Sequence, residues 1–399
     1  MKKLYVFLAI TIAISMLAAC AKTPAAEETQ ESLSGFTGAK DEWLKTNKLG
    51  VYDNGVQDWA AIETAAKAEG ILLVYANSSK TEKAALAFEE IYPEIDVQAF
   101  DLGGDDVLLK TNEEQNAGAF TGDVWFSSGG PTIKGELVPK GFVWKFVPDS
   151  VVGKVPAELQ DPLLVSRMGS QAWAYNSELN DSCPIQNVWE LTQPEWNSKI
   201  FVEDPLNDAS TLGKLMTYVA HPEEMAAAYK ALYGTDPVLD ADTADAGWLW
   251  FKRFAQNNPI PQPGGDEIDS AFATPGMTEN FMAFGTYGNY PDVLDGNLVF
   301  ELCWDLEPVG GVGTQSYIGI LNQAPHPNAA KLWIRFITTL EGIDPWYKIG
   351  TYLPNPDMPA PEGAKPFSEV QASTWSFNDQ FVYDNIIKAR DFYLINLGN

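Results

Sequence analysis

The chain has 399 residues, with 54 acidic against 26 basic side chains and a formal net charge of −28. So acidic a composition excludes nucleic acid and anionic lipid headgroups as partners, since both are recognised through a basic footprint. His221 and His326 are the only histidines, which excludes a zinc site of the HExxH kind. The length suggests two or three domain-sized units.

Lys2 and Lys3 form a positive head, and Leu4 to Leu17 is apolar apart from Thr11 and Ser15. That is the layout of a secretory signal peptide, too short to span a bilayer. The run ends in Leu17-Ala18-Ala19-Cys20, which resembles the bacterial lipobox. The resemblance implies removal of residues 1–19 and lipidation of Cys20, and two or three acyl chains anchor stably. Loss of Lys2 and Lys3 takes the charge from −28 to −30. No second apolar run approaches the ~18 residues of a membrane span, so the lipid is the expected anchor and the location is extracytoplasmic. Of the other cysteines, Cys183 and Cys303 can pair in an oxidising compartment, and the sequence leaves their pairing open.

Residues 20–58 read as a tether and N-terminal extension, rich in Ala, Glu, Thr, Ser and Gly up to Gly38. Helical periodicity runs from Trp59 to Glu69 and stops at Gly70. Ile71 to Tyr75 is a buried-strand pattern, followed by Asn77-Ser78-Ser79 and a helix through Ala84, Phe88 and Ile91. Ile95 to Phe100 reads as a strand, Val107 to Leu109 as part of a helix, and Asp123 to Phe126 as a third strand. Beyond these, Ala172–Asn176, Lys199–Val202, Leu298–Trp304 and Tyr317–Leu321 are strand-like. Val188–Leu191, Leu212–Ala220, Ala246–Gln256 and Asn328–Leu340 are helical. The alternation predicts an α/β fold with a mainly parallel sheet.

Catalytic templates are scarce. There is no Gly-x-Ser-x-Gly elbow and no phosphate loop ending in Gly-Lys-Ser/Thr. His326, in Pro325-His326-Pro327 just ahead of a helix, reads as a surface residue. Abundant carboxylates keep open one alternative, a secreted two-domain glycosidase working through paired carboxyls. What recurs instead is a hydroxyl- or amide-rich loop between strand and helix: Asn77-Ser78-Ser79, Ser127-Ser128-Gly129-Gly130 and Asn207-Asp208-Ala209-Ser210-Thr211. In open α/β sheets ligands collect beyond the strand C-termini, where helix N-termini offer free N–H groups to polar or anionic solutes.

Several segments together resemble the extracellular solute-binding proteins of bacterial ATP-driven importers, the ferric-iron type in particular. They are Ala65 to Tyr75, Phe88 to Val97, Gly122-Asp123-Val124-Trp125, Ala174-Tyr175-Asn176, Trp189-Glu190-Leu191, Pro194 to Ile200 before Glu203-Asp204-Pro205, and Ala324 to Lys331. The resemblance implies a two-lobed periplasmic-binding-protein-like fold (type II) with the ligand cleft between lobes. Lobe one would hold residues 59–166 and 296–344, and lobe two 167–295 and 345–399. By position the cleft would be lined by Asn77, Ser78, Ser79, Ser127, Ser128, Tyr175, Asp204, Ser210, Thr211, Tyr287, Asn289 and Tyr290. The implied partners are a permease and an ATPase subunit, the implied state is a monomer, and no resident cofactor or enzymatic activity is implied.

Ferric-iron members present two adjacent tyrosines to the metal, whereas here Tyr287 and Tyr290 are separated by Gly288-Asn289. They are the expected metal ligands if the transported solute is ferric iron. Arginine is scarce, with Arg167, Arg253, Arg335 and Arg390 the only four. An anionic solute (organic anion, phosphonate or sugar phosphate) would then rest on backbone N–H groups and hydroxyls. The acidic surface and 13 tryptophans leave a polyamine as a further solute class.

Overall fold

A computed structural model describes residues 35–398. The expected signal segment, Cys20 and most of the expected tether lie outside the described residues. The strands are β1 (Ile71–Ala76), β2 (Asp96–Asp101), β3 (Val124–Ser127), β4 (Val143–Trp144), β5 (Leu164–Asn176), β6 (Ile200–Glu203), β7 (Ile260–Gln262), β8 (Met282–Thr286), β9 (Phe300–Leu302), β10 (Gly311–Leu321) and β11 (Thr374–Ser376). Their main order is β2-β1-β3-β10-β5-β8-β6-β7, with β4 and β11 on β10 and β9 on β5.

In the first unit, β1 pairs in parallel with β2 and β3. The Trp59–Glu69 helix is capped by Asp58, which accepts from Ala61 N–H, and ends on Gly70 at φ 72°. Gly70 turns the chain directly into β1, as left-handed C-terminal glycines do. This helix and the Lys80–Ile91 and Pro327–Ile337 helices enclose a core of Leu72, Val74, Phe88 and Trp333. Asp123 is fully buried and accepts from the backbone N–H groups of Leu73 and His326, both at 2.8 Å. Its Oδ2 lies 3.0 Å from His326 Nδ1. Burial raises the Asp123 pKa. His326, expected at the surface, therefore faces inward, tying the start of the Pro327–Ile337 helix to β3.

The second unit places β6 in parallel between β7 and β8. The Ala209–Val219, Pro222–Tyr233, Ala246–Gln256 and Asp379–Asn396 helices pack round Trp173, Tyr218, Trp250 and Phe254. The buried Trp173 indole donates to Tyr218 Oη at 3.0 Å, which removes the polar penalty of enclosing both rings. Cys183 and Cys303 form a disulfide, Cα–Cα 5.4 Å. Cys303, Leu306 and Val309 all belong to this second core. The chain re-enters the first core within β10, at Ile318 and Ile320.

Two long strands join the units. β5 and β10 run antiparallel from Gly311↔Ala172 to Ile318↔Leu164, with an irregularity between Ser316 and Tyr317. Leu164 and Ile318 anchor them in the first core, Trp173 and Val312 in the second. The sheet expected to be mainly parallel is therefore mixed: β1, β2 and β3 pair in parallel, as do β6, β7 and β8, whereas β5 and β10 run antiparallel to each other and to β3, β4, β8 and β9.

Candidate functional site

A cavity of about 140 Å³ lies where the units meet. One wall is Ser128, Gly129 and Gly130, which follow β3. The facing wall is Ala209, Ser210 and Lys214, from the first turns of the Ala209–Val219 helix. Thr314, Gln315 and Tyr317 of β10 form a side, and Phe377, Asp379 and Ile386 of the C-terminal segment form another.

The β3 loop must approach its neighbours closely. Gly129 sits at φ 114°, and a Cβ on Gly130 would collide with the Asp379 carboxylate. Asn77 Nδ2 donates to Ser128 Oγ at 2.9 Å, fixing the loop against the end of β1. The buried Trp125 Nε1 and Ser127 Oγ have no partner among the described residues. Each needs an acceptor or donor from water or a solute. On the opposite wall, Asp208 caps the Ala209–Val219 helix at Thr211 N–H. Ser210 remains in the cavity wall, while Thr211 Oγ1 donates to Glu203 Oε2 at 2.7 Å. Lys214, one turn after Ser210, lies 3.7 Å from the same carboxylate oxygen.

The C-terminal segment closes the cavity and bridges the units. Asp379 begins the Asp379–Asn396 helix, which packs in the second core through Val382, Ala389 and Tyr393. Its carboxylate, 5% exposed, reaches 2.6 Å from Lys134 Nζ of the first unit. Tyr317 Oη donates to it at 3.3 Å. Burial raises the pKa of Asp379, and burial followed by the Asp379 charge raises that of Tyr317.

Of the expected site residues, Ser128 and Ser210 line this cavity, with Asn77 and Ser127 directly behind. Ser78 Oγ instead accepts from Trp346 Nε1 at 3.1 Å, and Ser79 stands at the start of the Lys80–Ile91 helix without a side-chain capping bond. Asp204 holds its own turn, accepting from Leu206 N–H at 3.0 Å and Asn207 Nδ2 at 2.6 Å. Tyr175 is buried in the second core. The Tyr287 and Tyr290 rings are 5.6 Å apart. Tyr287 Oη accepts from Lys365 N–H at 3.2 Å, and Tyr290 Oη donates to Glu301 at 2.7 Å. Burial raises both phenols, and the Glu301 hydrogen bond raises Tyr290 further. Asn289 Nδ2 donates to Asp269 at 2.6 Å, while burial lifts that carboxyl to about 6.

Lys214 was open to discovery in the sequence, because it follows Ser210 by four residues on a predicted helix and shares its face. Asp379 and Phe377 carried no such signal, since only the tertiary fold returns the C-terminus to the cleft.

No protein-family profile and no curated protein matches the chain. Solved structures do. Iron-bound HitA from Pseudomonas aeruginosa aligns with a TM-score of 0.62 at 18% identity, over 81% of this chain and 99% of HitA. AfuA from Actinobacillus pleuropneumoniae, a periplasmic binding protein with fructose-6-phosphate bound, gives 0.61 at 17% identity, over 82% and 98%. Apo ferric ion-binding protein A from Pasteurella haemolytica gives 0.61 at 14%, over 82% and 98%. The chain has the periplasmic-binding-protein fold. β5 and β10 connect the two units, and the cavity lies between them.

Proposed function

We propose that the protein is the lipid-anchored solute-binding component of an ABC importer, which closes two lobes on a small anionic solute and hands it to a permease driven by an ATPase. It acts outside the membrane as a monomer and performs no chemistry on the solute. The lobes are residues 59–165 with 317–344, and 168–312 with 365–398, joined through β5, β10 and the segment from Trp346 to Ala364. The observation that carries this reading is a cavity walled by both lobes and by a connecting strand, with Ser128, Ser210 and a helix N-terminus facing inward. Helix N-termini and hydroxyls favour an anion. Ferric iron is the second reading, supported by the iron-bound neighbour. It would require the Tyr287 and Tyr290 hydroxyls to leave Lys365 and Glu301, and two raised phenol pKa values oppose that. A glycosidase is disfavoured because Asp379, one of the carboxylates in the cavity wall, is held by Lys134 and Tyr317.

Calorimetric titration with inorganic phosphate, citrate and glucose 6-phosphate tests the solute class. Ser128→Ala and Ser210→Ala are each expected to weaken anion binding about 10- to 150-fold, as loss of one hydrogen bond to a charged acceptor contributes about 1.5–3 kcal/mol. Tyr287→Phe and Tyr290→Phe are expected to stay within a few-fold of the parent. The reverse order, with binding of a ferric salt abolished by either Phe variant, would establish iron instead. For the anchor, Cys20→Ser is expected to release the protein from membranes while leaving its fold intact. Retention of that variant on membranes after a high-salt wash would refute lipidation.

A further inference from the structure

Three cations gather at the hinge, none of them ion-paired among the described residues. Arg167, on β5 opposite Ser316, has its guanidinium carbon 5.3 Å from the Phe126 ring centre and 4.9 Å from that of Trp346. Two aromatic faces fix the plane of the cation and leave its N–H edge unspent. The Arg167 guanidinium makes no hydrogen bond or ion pair among the described residues. Lys80 opens the Lys80–Ile91 helix beside Ser78, whose Oγ receives the Trp346 indole N–H. Lys348 follows Trp346 by two residues and extends toward the second lobe, its Cε 3.9 Å from where a Cβ on Gly288 would stand. Neither lysine is ion-paired among the described residues, although the chain carries 54 acids. Burial lowers the Lys80 pKa, and the charges of Lys348, Arg167 and Lys83 lower it further. Burial alone pushes Arg167 down to about 10. Like charges held together in a half-buried site repel, and an incoming anion relieves that repulsion.

We propose that Arg167, Lys80 and Lys348 form an oxyanion subsite at the hinge, taking a phosphate or carboxylate group. This rests on the reading of the protein as an anion-capturing binding protein. The subsite draws on the first lobe through Lys80, on a connecting strand through Arg167, and on the edge of the second lobe through Lys348. An anion seated there therefore favours one relative setting of the lobes. The guanidinium fork supplies paired N–H donors, and the lysines supply charge on either side.

The test is calorimetry at low ionic strength with inorganic phosphate and with citrate, which separates a phosphate preference from a carboxylate one. Arg167→Met keeps an unbranched chain between the two rings and removes the charge. It is expected to weaken the preferred anion about 10- to 150-fold. Lys80→Gln and Lys348→Gln, at less buried positions, are expected to weaken it severalfold each, with Lys83→Gln unchanged as the control. Unchanged affinity in both Lys80→Gln and Lys348→Gln would overturn the subsite, and so would the absence of any anion binding by the parent protein. If Ser210→Ala and Lys214→Met lost binding while the three hinge variants did not, the anion-binding cleft would stand and the hinge subsite alone would fall.

Discussion

Replacing Cys183 and Cys303 together by alanine is expected to lower the unfolding free energy by about 2–5 kcal/mol. The bond closes a loop spanning 120 positions. A loop that long loses much of its freedom in the unfolded chain, and the chain-entropy account gives about 4.7 kcal/mol for 100 residues. The loop also brings Cys303, Leu306 and Val309 into the second core, so the loss falls on that lobe. Urea unfolding followed by tryptophan fluorescence measures it, compared with the parent protein under oxidising conditions. A difference within about 0.5 kcal/mol, the usual range for an inconsequential surface change, would show that the bond contributes little beyond packing.

Lys134→Met is expected to be nearly as costly. It strands the Asp379 carboxylate, 5% exposed, with Tyr317 as its remaining side-chain partner. Removing one member of a buried pair costs about 3–5 kcal/mol. Lys134 itself is 37% exposed, so water can replace part of what the lysine supplied, and about 2–4 kcal/mol is expected. The double variant Lys134→Met/Asp379→Asn is expected to recover at least half of that loss, because the stranded charge, rather than the missing attraction, dominates it. Thermal unfolding of the four proteins forms the cycle. Additive losses would mean that the pair does not act as a unit.

The regular elements were legible where apolar residues ran without interruption. Ile71–Tyr75 became β1 with one residue added, and Ala246–Gln256 is a helix with the predicted bounds. The long connecting strands were only half visible. Sequence placed strands at Ala172–Asn176 and Tyr317–Leu321, whereas β5 begins at Leu164 and β10 at Gly311. The missing halves, Ser166-Arg167-Met168-Gly169-Ser170 and Gly313-Thr314-Gln315-Ser316, cross between two cores and border the cleft, so they lack the unbroken apolar run that marked the other strands. The site was legible in the same partial way. Strand-to-helix loops pointed to Ser128 and Ser210, which line the cavity, because that position is dictated by chain direction. The packing of Arg167 against Phe126 and Trp346 was hidden, since both lie far away in sequence. The pairing of Tyr287 and Tyr290 with Lys365 and Glu301 was equally hidden, being tertiary in origin.

Closure of the two lobes on an anion is tested most directly by small-angle scattering of the protein without its first 19 residues. The radius of gyration is measured without solute, then at saturation with whichever of inorganic phosphate, citrate or glucose 6-phosphate binds most tightly. Hinge bending about β5 and β10 predicts a smaller radius at saturation, and the same addition is expected to leave the radius of Ser210→Ala unchanged at a concentration that fills the parent but not the variant. An identical radius with and without bound anion, at occupancy confirmed by calorimetry, would contradict capture by closure.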